Sequence, residues 1–149
     1  MRRRSVLAAN PHAALAQLAG DGTDFTAAKT TFPSDSFPGM VAQLTGRGPG
    51  TTGVPPLPAT ATPPDLLGIA EHGVVYTGGV KKIAEHGGAA GDDRDVALVV
   101  SGAGVRHGSV NATPVQTAQI APTILRLLGL NPNALQAVRI DHTHQLPAQ

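Results

Sequence analysis

Thr30-Thr31-Phe32-Pro33-Ser34-Asp35-Ser36-Phe37-Pro38-Gly39, running on into Met40-Val41-Ala42-Gln43-Leu44-Thr45-Gly46, decides how this chain is read. Small hydroxyl residues stand just ahead of a helix start, Pro38 suits the first helical turn, and Gly46 suits the C-terminal cap. A helix N-terminus presents unpaired N–H groups and a partial positive charge, both favourable to a phosphate or a developing alkoxide. Two readings follow. Ser34 or Ser36 caps the helix, as serine commonly does, or a serine at this position attacks a phosphoryl group.

Working outward, the punctuation predicts an α/β chain. Asn10 and Pro11 suit a helix start, Ala13 to Ala19 continue it, and Gly20 is expected to end it. Phe25 to Thr31 reads as an extended segment that delivers the chain to the serine turn. Between Gly46 and Pro64, ten of nineteen residues are Gly or Pro and no hydrophobic period is present. Such a stretch buries too little apolar surface to offset its ordering entropy, so it reads as a linker. Ile69-Ala70-Glu71-His72-Gly73 recurs as Ile83-Ala84-Glu85-His86-Gly87, either as two histidine loops converging on one metal or as chance in an Ala/Gly-rich chain. Two copies are too few for a repeat architecture. Val74 to Thr77 is expected to form a brief strand. Asp95-Val96-Ala97-Leu98-Val99-Val100-Ser101 has the continuous apolar pattern of a strand buried in a parallel sheet. Ala121 to Gly129 has Pro in its first turn and Gly at its end, and its Ile124, Leu125, Leu127 and Leu128 are expected to cover a sheet face.

Composition narrows the function. The 149 residues carry 11 basic and 10 acidic side chains, so no long-range field draws the chain to nucleic acid. Arg2-Arg3-Arg4 is too short for a nucleic-acid patch and reads as a solvated terminus. No stretch approaches the roughly 20 apolar residues that span a membrane, and Val6-Leu7-Ala8-Ala9 is too short for the apolar core of a secretory signal. With no cysteine there are neither disulfides nor thiolate ligands, so the chain suits either redox compartment. Only three Phe and one Tyr are present and no Trp, so the core must be mostly aliphatic. Gly46 to Gly53 lacks the Lys-Ser/Thr ending of a P-loop. Of the six histidines, His12 and His107 read as surface and loop residues, whereas His142 and His144 with Asp141 either chelate opportunistically or are solvated.

Phe32-Pro33-Ser34-Asp35-Ser36-Phe37-Pro38 resembles the nucleophile motif of the type I phosphodiesterase/nucleotide pyrophosphatase branch of the alkaline phosphatase superfamily. That motif is Phe-Pro, two variable residues, Thr or Ser, then often Phe-Pro. A second resemblance begins at Lys82-Ile83-Ala84-Glu85-His86-Gly87-Gly88 and continues through Asp92-Asp93, the Asp95 run and Pro114 to Leu130. The resemblance implies an incomplete alkaline-phosphatase-like core, a small and mostly parallel sheet flanked by helices. It implies one incomplete domain over 1–149: a nucleophile-bearing segment at 10–46, a Pro/Gly-rich linker at 47–68, and a strand-helix segment at 69–149. The family's middle is expected to be missing, since its members run to several hundred residues.

By the same resemblance Ser36 is the nucleophile and a metal ligand, and His86 falls on the family's last ligand histidine. Pro64-Asp65-Leu66-Leu67-Gly68-Ile69 imitates a second ligand motif through Asp65, with Ile69 where a histidine is expected. Glu71-His72-Gly73 imitates an Asp-His pair, which leaves His72 as a further ligand candidate. The implied activity is hydrolysis of a small phosphate ester through a phospho-enzyme, with two divalent ions, zinc in the first instance. The family's upstream aspartate has no counterpart. The other reading is therefore a non-catalytic remnant that self-associates or binds a partner through exposed apolar surface. Family members are often exported, and the sequence carries no convincing signal of its own.

Overall fold

The computed structural model describes residues 7–32, 34–53, 71, 73, 74, 79 and 87–147. A helical stretch at residues 7–9 is followed by helix α1 (Ala14–Asp21), strands β1 (Thr23–Phe25) and β2 (Ala28–Lys29), helix α2 (Ser36–Thr45) and the short α3 (Pro49–Thr52). After residue 87 follow α4 (Gly91–Arg94), β3 (Leu98–Val100), β4 (Ser109–Asn111), β5 (Val115–Gln116), α5 (Ile120–Leu127) and α6 (Gln136–Asp141). Single 3-10 turns at Thr117–Gln119 and Pro132–Ala134 lead into the last two helices.

The result is a mixed α/β arrangement with small, partly parallel sheets. Strand β1 is the middle of a three-stranded sheet, antiparallel to β3 and parallel to β4. Phe25 lies opposite Leu98 on one side and Asn111 on the other. Strands β2 and β5 form a second, parallel pair in which Ala28 faces Val115 and Lys29 faces Gln116. Phe25 is fully buried and sits in one core with Ala28, Leu98, Val105, Val115 and Leu146. Among the described residues it is the one aromatic ring of that core; Phe32 and Phe37 are exposed. Thr23 is buried beside it and donates from Oγ1 to the Arg106 carbonyl at 3.1 Å.

The helical layer closes around Gly46. This residue ends α2 in the left-handed region at φ 73°, and its N–H donates to the Ala42 carbonyl. Its carbonyl accepts the Thr143 hydroxyl at 2.6 Å. A Cβ at this position would lie 2.9 Å from Val138 Cγ2 on α6 and 3.3 Å from Pro122 Cδ on α5. Thr123 on α5 donates to the Gln119 carbonyl at 2.6 Å and accepts the Leu146 amide at 2.7 Å, which pins the C-terminal segment to the core. The first part of the Pro/Gly-rich stretch is also tied down. Asp141 Oδ2 accepts from the Gly48 amide at 3.1 Å and from the Thr51 hydroxyl at 3.0 Å.

Three local expectations change. Helix α1 starts after Ala13 without a side-chain cap and runs through Gly20 to Asp21. Asn10 instead closes a turn, its carbonyl accepting from Ala13, and a helical glycine costs only about 1 kcal/mol, too little to stop the helix. The apolar run at 95–101 contributes only the three residues of β3, and these pair antiparallel to β1 at an edge of the sheet, so continuous apolar composition did not determine direction. On α5 the buried residues are Ala121, Pro122 and Thr123; Leu127 packs half-buried against the core as expected and Leu125 is half-buried, whereas Ile124 and Leu128 are exposed. The first turn of α5 packs close to Gly46, where only small side chains fit. The expected strand at 74–77 and the histidine echo fall largely outside the described residues.

Gly46→Ala is expected to cost about 1–2 kcal/mol for the left-handed conformation, with a further loss where the new methyl meets Val138. Gly20→Ala, in a helix and with open space around it, is expected to stabilise by about 0.5–1 kcal/mol. Urea unfolding midpoints of the two variants check both signs.

Candidate functional site

The serine turn is built from the β2 strand downward. Ala28 and Lys29 pair with β5 on one side and are held on the other by the segment after residue 87. The Val96 amide donates to the Ala28 carbonyl at 3.1 Å, and the Thr30 amide to the Arg94 carbonyl at 2.9 Å. Lys29 Nζ meets Asp95 Oδ1 at 2.6 Å. Further along, the Ser34 amide reaches the Gly88 carbonyl at 3.4 Å, and the Arg94 guanidinium lies 5.6 Å over the Phe32 ring. Residues 87–96 therefore grip the turn along its whole length.

Neither serine caps α2. Asp35 is the N-cap, in extended conformation, and its Oδ1 accepts from the Ser36 amide at 2.7 Å. Ser36 is the first residue of the helix, exposed, and the Asp35 carbonyl begins the intrahelical bonding by accepting from Gly39 at 3.0 Å. Pro38 falls where its missing N–H costs nothing, because the first four amides of a helix have no intrahelical acceptor. The Phe37 amide belongs to the same open set. The helix end contributes a field worth about 0.3–1 kcal/mol to a negative group placed there.

Ser36 opens on a shallow cleft of about 380 Å³ whose lining includes Thr30, Ser34, Asp35, Met40 and Asp93. Ser34 is only 8% exposed, and its hydroxyl has no hydrogen-bond partner among the described residues. Asp93 is half-buried and reaches the cleft from α4. The polar lining consists of oxygen and amide groups; no lysine, arginine or histidine lines the cleft among the described residues. A cleft of hydroxyls and carboxylates suits oxygen-preferring cations such as Mg²⁺ or Mn²⁺ better than zinc, which takes nitrogen and sulfur ligands as well.

Of the site residues expected from sequence, Ser36 is placed at the helix start, and His86, Asp65 and His72 lie outside the described residues. Among the described residues no group of three or more His, Cys, Asp and Glu comes together. Asp141 is engaged with Gly48, Thr51 and Arg47, and so does not form a cluster with His142 and His144. The cleft adds Ser34 and Asp93, neither of which had been assigned a role in the chemistry. Asp93 sits in a four-residue helix with no hydrophobic period to announce it, so only tertiary folding reveals its approach to Ser36. No helix among the described residues is long and apolar enough to cross a membrane.

Asp35→Ala removes the cap of α2 and is expected to cost about 1 kcal/mol, whereas Asp35→Asn is expected to keep most of it. Thermal unfolding of the two variants at one pH separates these outcomes.

The family model described as "Type I phosphodiesterase / nucleotide pyrophosphatase" matches residues 3–55, which contain β1, β2, the serine turn, α2 and α3. The match does not extend to the second stretch of resemblance, which begins at Lys82. No curated protein and no solved structure gives a significant match. Over residues 3–55 the chain is thus similar to type I phosphodiesterase/nucleotide pyrophosphatase sequences, and the serine turn lies inside that stretch.

Proposed function

We propose that this chain is a phosphoester hydrolase of the phosphodiesterase/nucleotide pyrophosphatase kind, with Ser36 as its nucleophile and a small phosphate ester as substrate. One observation carries the reading: within the family-matched stretch, Ser36 is the first residue of a capped ten-residue helix and opens on a cleft. Ser36 Oγ forms a bond to phosphorus in line with the departing oxygen, and the ester bond breaks with its electron pair on the leaving alkoxide. The hydroxyl proton leaves to solvent. Water then cleaves the phosphoserine, returning the serine hydroxyl and releasing the phosphate product. The helix N-terminus faces the charge that develops on the phosphoryl oxygens, and the Asp35 cap holds the Ser36 backbone in place.

A divalent ion, zinc by family resemblance although the oxygen lining of the described cleft suits Mg²⁺ or Mn²⁺ better, would lower the barrier by neutralising the phosphoryl charge and favouring the serine alkoxide. Ser36 Oγ would be one ligand, with His86, Asp65 and His72 proposed as others. A second reading, a non-catalytic chain that self-associates, is favoured by Phe37, Met40 and Leu44, which are 60%, 52% and 71% exposed at helical spacing on α2.

Hydrolysis of a chromogenic phosphodiester by the purified chain, with Zn²⁺, Mn²⁺ or chelator, tests the first reading. Metal-dependent turnover that falls by about three orders of magnitude or more in Ser36→Ala is the expected result. Turnover equal to that of Ser36→Ala, together with a molecular mass that rises with protein concentration, would instead favour the second.

A further inference from the structure

We propose that the groove between α2 and the start of α6 is a second binding site, for a free carboxylate carrying a short apolar chain, with Arg47 as the group that holds the carboxylate. The groove has a volume of about 410 Å³, within the range of small-molecule sites. It lies on a different face of α2 from the serine cleft: Val41 and Leu44 line the groove, whereas Met40 and Gln43 line the cleft. Leu135 and Ala137, at the start of α6, complete the apolar wall. That wall takes the chain of the ligand, and nothing in it depends on the serine chemistry.

The charge of the groove selects the headgroup. Among the described residues Arg47 is the one charged side chain in the lining, and it is half-buried. Its Nε faces Asp141 Oδ1 at 3.8 Å, beyond hydrogen-bonding range, and is sealed from solvent. Asp141 is occupied elsewhere: its Oδ2 accepts from the Gly48 amide and the Thr51 hydroxyl, and it does not line the groove. The terminal Nη groups of Arg47 are not sealed and make no hydrogen bond among the described residues. The other polar lining groups do not compete for a ligand. Thr45 Oγ1 donates to the Val41 carbonyl at 2.7 Å, Thr52 Oγ1 donates to the Pro49 carbonyl at 3.3 Å, and Gln136 is exposed. A guanidinium held this way presents a paired set of donors at the edge of an apolar wall. A planar carboxylate matches that fork with two parallel hydrogen bonds. Its single charge also suits a cation that already faces Asp141, whereas a dianionic phosphate would bring a second negative charge beside that carboxylate.

Titration of the full chain with octanoate, read by two-dimensional NMR, tests the site. Octanoate is expected to shift the amides of Val41, Leu44 and Ala137 together with the Arg47 side-chain Nε–H. Affinity is expected to rise about threefold to fourfold per methylene from hexanoate to octanoate. Octanol and octylamine, which keep the chain and lose the carboxylate, are expected to bind about tenfold more weakly or worse. Arg47→Met, which keeps the apolar stem, is expected to lose about tenfold or more in octanoate affinity. Asp141→Asn keeps an acceptor for Gly48 and Thr51 but removes the competing charge, and is expected to bind octanoate more tightly than the parent. Octanol binding as well as octanoate, or unchanged affinity in Arg47→Met, would overturn the carboxylate assignment. Octanoate shifts confined to other residues, or no shifts at all, would remove the groove as a site. The same amides shifting with protein concentration in the absence of octanoate would place a second copy there and overturn the proposal. The comparison of octanoate with octanol and octylamine uses the parent alone, so it decides the matter even where a variant fails to fold.

Discussion

Everything at the serine turn depends on how β2 is gripped from both sides. The Val96 amide to the Ala28 carbonyl and the Thr30 amide to the Arg94 carbonyl join the chain before the turn to a segment far away in sequence. On the opposite side Ala28 and Lys29 pair with β5. Each such backbone bond contributes only about 0.5–1.5 kcal/mol net, but together they fix register and direction. The Lys29–Asp95 ion pair lies across the same junction, yet its side chains are 46% and 64% exposed, and exposed pairs contribute about 0–1 kcal/mol. Backbone pairing, not that charge pair, holds the turn.

From this junction the rest follows in order. Phe25, at the end of β1, fills the small aliphatic core, and the chain leaves it through β2 toward the cleft. Past the turn, Asp35 opens α2 and Gly46 closes it, and the close packing of Gly46 on Pro122 and Val138 sets where the helix axis points. The helix start is thus located at two ends: by its cap and the β2 junction at one, and by the α5–α6 contact at the other. Ser36 inherits that placement. Its orientation is a property of the whole described core.

Much of the turn was legible in the sequence because its signals are local. Pro38 in the first helical turn, Gly46 at the left-handed cap and an extended approach to the turn depend on backbone geometry that few residues tolerate. The helix start was legible at this turn, but the capping residue is Asp35 and neither serine, since both Ser and Asp satisfy a helix start and sequence does not rank them. Non-local facts were not legible. The antiparallel direction of β3, the outward-facing Ile124 and Leu128, and the approach of Asp93 to Ser36 all arise from chain segments meeting across long separations. An apolar run or an Asp-Asp pair carries no record of its eventual neighbour.

The central claim is that Ser36 itself takes the phosphoryl group. Acid-quenching the chain during exposure to a phosphodiester and divalent metal, followed by peptide mass mapping, tests it most directly. The account predicts a phosphoryl or phosphodiester adduct on Ser36 that vanishes in Ser36→Ala. An adduct on Ser34 or Thr30, or metal-supported turnover with no adduct on Ser36, would contradict it.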